Sequence, residues 1–265
     1  MNQPEQAGLP RNKMTRMALA VAGVAGVAWA VAVFPTFSTE LPIIDVGKAV
    51  MAGEAFKPGV LSAVDTRAGN GAAGVVRPAV LGKAAVIRLR LAEDAIRAGD
   101  KSRVDQSLQS LAGMIDESLQ NAPSDPFSWL ARFWLDNTRH GLQPSHLREL
   151  WMSYDLGRYE GWIAAKRNRV ALGVYSEMPS DLAEQAISEF VNLVRWGIAE
   201  EAADIAAGPG LLLRSVLFAR LKDLKVDQRR PFAQAIYRRE LDDVPVPGID
   251  PPSPQIPMPV FPPGF

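Results

Sequence analysis

Residues able to do chemistry are few in this chain, and their spacing is rarely that of a site. Its only two histidines, His140 and His146, are separated by a turn. His140 falls at a predicted helix end, where a positive charge suits the dipole, and His146 opens the next helix. Structural placement is the reading, not metal binding. The adjacent acids Glu93-Asp94, Glu200-Glu201 and Asp242-Asp243 point to different helix faces and lack the convergence of a carboxylate pair. Gly69, Gly71 and Gly74 match G-x-G-x-x-G, with Glu93 downstream at a ribose-contact distance. That motif works only between a strand and a helix, and here no strand run precedes it while Pro78 follows, so a flexible linker is expected. No G-x-S-x-G, Walker loop or H-E-x-x-H occurs. With no cysteine, disulfides, thiolate metal sites and a Cys nucleophile are excluded. No catalytic residue, metal ligand or cofactor is expected from these residues.

The densest polar group is Arg158, Tyr159, Glu160, Lys166, Arg167 and Arg169. On a helix Tyr159, Lys166 and Arg169 line one side beside Trp162, so Arg158, Tyr159, Trp162, Lys166 and Arg169 form a candidate grip for an acidic saccharide or an acidic protein. The competing reading is a solvated helix face.

Formal net charge is zero over 265 residues, of which 48% are apolar and 22% charged. The balance gives no reason to expect a nucleic-acid partner. The length suits one good-sized domain with appendages.

The clearest signal is at the N-terminus. Residues 17–34 are uncharged, follow Arg11, Lys13 and Arg16, and end at Pro35. As a helix they span roughly 27 Å, close to the hydrocarbon thickness of a bilayer. The preceding cations orient the N-terminus to the cytoplasm and the remaining chain outside. Ala28-Trp29-Ala30 and Ala30-Val31-Ala32 also fit a signal-peptide cleavage pattern, and either alternative exports the domain. Ala18, Ala22, Gly26 and Ala30 form a strip of small residues able to pack membrane helices together, though an Ala/Gly-rich composition produces such strips by accident.

The elements that must position any surface are helices. Two short ones are expected in residues 37–77. From Pro78 the face Val80, Ala84, Ile87, Leu91 and Ala95 runs to a stop at Gly99. Asp100 or Ser102 caps a second helix carrying Val104, Leu108, Leu111, Ile115 and Leu119, the two forming a hairpin. Asp125-Pro126 opens a helix with Phe127, Leu130, Phe133 and Trp134 inward. Ser145 is expected to cap the next, with Trp151 and Tyr154, and a third carries Trp162, Ile163 and Val170. Four of the six tryptophans lie between Trp129 and Trp162, so this stretch is the expected packing centre, with an exposed stacking surface as the alternative for at least one of them. Ser180, Asp227 and the stripe Leu213, Leu217, Leu221 and Leu224 continue the helical pattern to about Leu241, with no strand candidate. Nine prolines between Pro245 and Phe265 preclude helix or sheet there; a disordered spacer or a partner-docking segment is expected.

Trp129 and Trp162, 33 residues apart, give residues from roughly Val104 to Val174 a spacing that resembles a tetratricopeptide repeat. Arg132 stands where that motif has Leu, and Leu111 where it has a small residue. The strings APSDPFSWLARFWL and SYDLGRYEGWIAAKRNRVAL also resemble a group of membrane-anchored alphaproteobacterial proteins associated with surface-polysaccharide loci, near O-antigen-ligase-like or export genes. That resemblance runs to about residue 240 and implies a setting in envelope polysaccharide assembly, with no catalytic residues to carry over.

The expected architecture is therefore all-α. It has a cytoplasmic N-terminus (1–16), a single transmembrane helix or signal peptide (17–36) and a linker with short helices (37–77). A periplasmic helical-hairpin solenoid or irregular bundle (78–241) and a Pro-rich tail (242–265) follow. The expected function is an inner-membrane scaffold with a membrane or periplasmic protein partner; a polysaccharide-binding protein or a glycan-acting enzyme is the alternative.

Overall fold

The computed structural model describes residues 11–57, 59–70, 77–158 and 160–251. All regular structure among them is helical. The chain divides into two compact units, residues 1–107 and 108–265.

The first unit is built on α1 (Arg11–Met51), α2 (Val60–Asn70) and α3 (Pro78–Ala98). Within α1, Thr15–Ala32 is long and apolar enough to cross a membrane, and none of it is buried. Membrane anchors and signal sequences share that pattern. The helix does not stop at Pro35, as the sequence suggested. It continues through Pro35 and Pro42 to Met51, because its second half has packing partners that offset the hydrogen bonds the prolines remove. Ile43 and Val50 are buried on α1, Leu61 and Val64 on α2, and Val80, Leu81, Ala84 and Ile87 on α3. Each of the three helices packs on the other two.

Residues 37–77 were expected to be a linker with short helices; α2 is such a helix, and residues 40–64 pack into a helical layer with α3. Gly47 permits the close approach of α1 to α3, since a Cβ there would lie 2.7 Å from the Cβ of Lys83. Arg77 pairs with Glu40, and Arg88 Nε donates to Asp65 Oδ1 at 2.6 Å. The glycine motif cannot be followed in full, for Gly69 lies in α2 while Gly71 and Gly74 fall outside the described residues. Gly99, at φ 72°, ends α3. The Asp100 carboxylate then accepts from the Arg103 amide at 3.2 Å, as a cap for α4 (Lys101–Asn121).

The second unit begins at Leu108 within α4 and contains α5 (Pro126–His140), α6 (Leu147–Leu156), α7 (Gly161–Gly173) and α8 (Ser180–Arg195). It continues with α9 (Ala199–Ala207), α10 (Arg214–Ala219) and α11 (Val226–Tyr237). Asp125 caps α5, accepting from the Phe127 and Ser128 amides at 3.3 and 3.2 Å. Ser145 caps nothing: it sits in the 3-10 turn Pro144–His146 that leads into α6. Helices α5 and α6 pack as a pair, and α7 packs against α5, α8 and α9.

The packing centre is not made of tryptophan. Fully buried positions are held by Phe127, Phe133, Phe190, Phe218 and Phe232, while Trp129, Trp134 and Trp162 are half-buried and Trp151 is exposed. An indole carries an N–H that must find a partner, which favours the rim over the dry centre. Trp129 Nε1 accordingly donates to Pro123 O at 2.8 Å. Phe232 packs edge-on against both Phe190 and Phe218, with ring centroids 5.7 and 5.3 Å away.

Residues 242–250, expected as a disordered spacer or a partner-docking segment, instead pack against the rest of the second unit. Val246 is buried, Tyr237 Oη donates to Ile249 O at 2.8 Å, and Arg229 hydrogen-bonds Pro247 O at 2.5 Å. Arg214 grips Asp243 through both terminal nitrogens, at 2.6 and 2.7 Å. Carbonyls of this segment accept from arginine and tyrosine, and the chain turns at Gly248, φ 69°, where the Ile249 amide donates to Val246 O at 3.1 Å. The rest of the tail, 252–265, lies outside the described residues.

Candidate functional site

The polar residues around α7 divide into an outer face and a buried layer beneath it. Trp162, Lys166 and Arg169 follow one another at i, i+4 and i+7, which puts them on one helix face. Arg169 is exposed and Lys166 and Trp162 are half-buried. The Trp162 ring rests against Phe127 at 5.4 Å between centroids. Arg158 is exposed just before the helix and lies 3.3 Å from Asp155. Tyr159 lies outside the described residues. Four of the five residues of the expected surface are thus placed around α7.

Sequence reasoning missed one neighbour. Trp196, 40% exposed, follows α8 and lies over Gly161, whose added Cβ would meet Trp196 Cε3 at 3.8 Å and Ile198 Cδ1 at 3.4 Å. The clue in the sequence was a tryptophan placed just before the Gly197 break, outside the apolar stripe of α8.

Arg167 was grouped with the surface cations, but it is fully buried. It sits four residues after Ile163 on the inward face of α7. Its Nε and one Nη donate to Glu189 Oε1 on α8, at 3.0 and 2.5 Å. The same Nη also donates to Gly157 O at 3.0 Å, and the other Nη donates to Ser153 O and Ser153 Oγ on α6. The guanidinium also lies 4.2 Å from the centre of the Tyr154 ring. One side chain thereby ties α6, α7 and α8 together. Asn168 adds a bond to Ala186 O at 2.7 Å.

Burial raises the Glu189 carboxyl above its ordinary range, against the pull of Arg167. Burial, reinforced by the Glu189 charge, likewise raises the Tyr154 phenol. The network joins α6, α7 and α8 beneath α7's outer face.

A second ionisable group spans α5 and α6. Glu149 is raised to about 7, first by burial and then by the charge and hydrogen bond of Asp136, with Arg132 opposing. Arg132 itself pairs with Asp116. His146 Nδ1 lies 2.9 Å from Asn137 Oδ1 on the same seam. The adjacent acid pairs of the sequence go to separate ion pairs: Asp94 with Arg90 and Arg97, Glu200 with Arg238 and Arg239, and Asp243 with Arg214. In the first unit, Ala18, Ala22, Gly26 and Ala30 lie on the exposed part of α1, and a Cβ on Gly26 would meet nothing within 4 Å.

This arrangement presents two partly exposed indoles beside cationic side chains on a face locked from below. Its chemistry is stacking and charge attraction. Comparison of the chain with protein-family models, curated proteins and solved structures finds no match.

Proposed function

We propose that this chain is a single-pass inner-membrane protein, N-terminus cytoplasmic, whose helical domain stands in the periplasm as an interaction platform accessory to envelope polysaccharide assembly or export. The observation that carries the reading is α1. Its unburied apolar stretch, Thr15–Ala32, continues as one helix into the packed layer formed with α2 and α3. Arg11, Lys13 and Arg16 ahead of the stretch support the orientation. The resemblance of residues 122–135 and 153–172 to membrane-anchored proteins of polysaccharide loci supports the setting. Hairpin-like pairing of α5 with α6 and α7 with α8 fits the tetratricopeptide-like reading, in which stacked helices display a surface to a protein segment. The small-residue strip Ala18, Ala22, Gly26 and Ala30 would serve contact with another membrane helix.

A second reading, direct binding of an acidic polysaccharide, is favoured by Trp162, Trp196, Arg158, Lys166 and Arg169 around α7. Affinity capture of the full-length protein from solubilised envelope membranes tests both readings. Recovery of a membrane protein of polysaccharide assembly, with crosslinks to the second unit, is the expected outcome. Retention of an acidic glycan with no protein partner, lost with rising salt, favours the second reading. Glycan turnover by the purified protein would replace both with an enzyme.

A further inference from the structure

Leu212 is 92% exposed, more than any other large apolar side chain among the described residues, including those of the apolar stretch of α1. It sits where the chain turns through 96° between Ala199–Ala207 and Leu211–Asp223. The turn is made by Gly208-Pro209-Gly210, and its tightness is set at Gly210, where a Cβ would lie 3.0 Å from Ile205 O and 3.1 Å from Leu217 Cδ1. On the inner side Leu217, Phe218 and Leu221 are buried. On the outer side Leu211 and Val216, each 42% exposed, continue the apolar surface from Leu212, Val216 following at helical spacing. The helical stretch ends among exposed Lys222, Asp223 and Lys225. A solvated face would carry polar residues at 211, 212 and 216. Instead an apolar apex projects outward above a charged base.

We propose that this apex dips into the membrane interface, with Leu211, Leu212 and Val216 among the lipid headgroups and upper acyl chains. A projecting tip suits a lipid surface better than it suits a protein, which would have to offer a pocket for Leu212. Interfacial segments carry this pairing of apolar tip and charged flank. A few side chains suffice because the tether raises the effective concentration of bilayer around the domain. The inference rests on the reading that Thr15–Ala32 remains in the bilayer.

The absence of cysteine allows a single probe to be placed at will. Full-length Leu212→Cys, Val24→Cys and Ser188→Cys, each carrying an environment-sensitive fluorophore, are reconstituted into phosphatidylethanolamine/phosphatidylglycerol vesicles. Quenchers are lipid-borne nitroxides, one shallow and one deep in the acyl region, and aqueous iodide. The probe at 212 is expected to be quenched by the lipid at least twofold more than the probe at 188, and less by iodide. Equal behaviour at 212 and 188, with the probe at 24 quenched by lipid, overturns the inference and leaves the anchor standing. Loss of lipid quenching at 24 removes the anchor reading and the inference with it. Protection at 212 from both quenchers also overturns it, because protein then covers the apex.

Discussion

Arg167 and Glu189 form an ion pair inside the second unit, with two guanidinium nitrogens on one carboxylate oxygen at 2.5 and 3.0 Å. Arg167 has no exposed surface and Glu189 almost none. Taking both charges out of water is expensive, and at Glu189 that cost outweighs the attraction of Arg167. Removing one partner leaves the other buried and unpaired. Arg167→Met is expected to destabilise by about 3–5 kcal/mol. Arg167→Met combined with Glu189→Leu should recover much of that loss. Urea unfolding of the two variants checks both statements, and a double variant no more stable than the single would contradict them.

Glu149 gives a pH dependence with a definite sign. Its carboxyl is raised from 4.5 to about 7 in the folded protein, chiefly by burial and then by Asp136. Between those two values the folded state holds a proton that the unfolded chain releases, so this group's contribution is greatest below 4.5 and is lost as pH rises to 7. Glu149→Gln should flatten the fall in melting temperature across that window. An unchanged slope in the variant would remove Glu149 as its cause.

Core and rim aromatics should separate cleanly. Phe232, fully buried between Phe190 and Phe218, is expected to cost about 3–5 kcal/mol when changed to Ala. Trp151→Ala, at a 42% exposed site, should fall within about 0.5 kcal/mol of the parent. Trp162→Ala belongs between them because the indole packs on Phe127. Thermal and urea melts of the three variants give the order directly.

Gly47→Ala should loosen the first unit. The new methyl would sit 2.7 Å from the Lys83 Cβ, a point close to the backbone that cannot swing away. Overpacking of this kind costs about 1–3 kcal/mol, against roughly 1 kcal/mol returned by alanine's helix propensity. Faster amide exchange along residues 43–50, with exchange in α8 unchanged, is the expected signature.

Deleting residues 242–265 is expected to lower stability more than deleting 252–265. The longer deletion alone strips Val246 from its buried site and leaves Arg214 without Asp243. Calorimetry of the two truncated chains measures the difference.

Much of the helical order was legible because it rests on local rules. Pro78 and Gly99 bound α3, and Asp125-Pro126 opens α5, as cap chemistry requires. What failed depended on distant partners. Pro35 reads as a stop, yet the helix passes it because Ile43 and Val50 have α2 and α3 to pack on. Val246 and Ile249 read as tail because nothing in their own composition shows that Arg229 and Tyr237 await their neighbouring carbonyls. Arg167 was misplaced for a similar reason. Its position four residues after Ile163 was an inward signal, outweighed by its cationic neighbours, and the acid that makes burial tolerable is 22 residues away. Part of the outer face of α7 was legible from spacing alone, whereas Trp196 arrives there only through tertiary packing.

The two prolines of α1 give the molecule a mechanical property. Each withdraws one rung from the ladder, so stiffness drops between Val31 and Pro42 and is restored where Ile43, Gly47 and Val50 are clamped. Tilting of the apolar end, Thr15–Ala32, can be absorbed in that soft stretch, while rotation about the long axis still passes along a continuous backbone. A twist applied to the apolar end would therefore arrive at the clamped end as torque, with Val50 some 27 Å from Ala32 at 1.5 Å per residue.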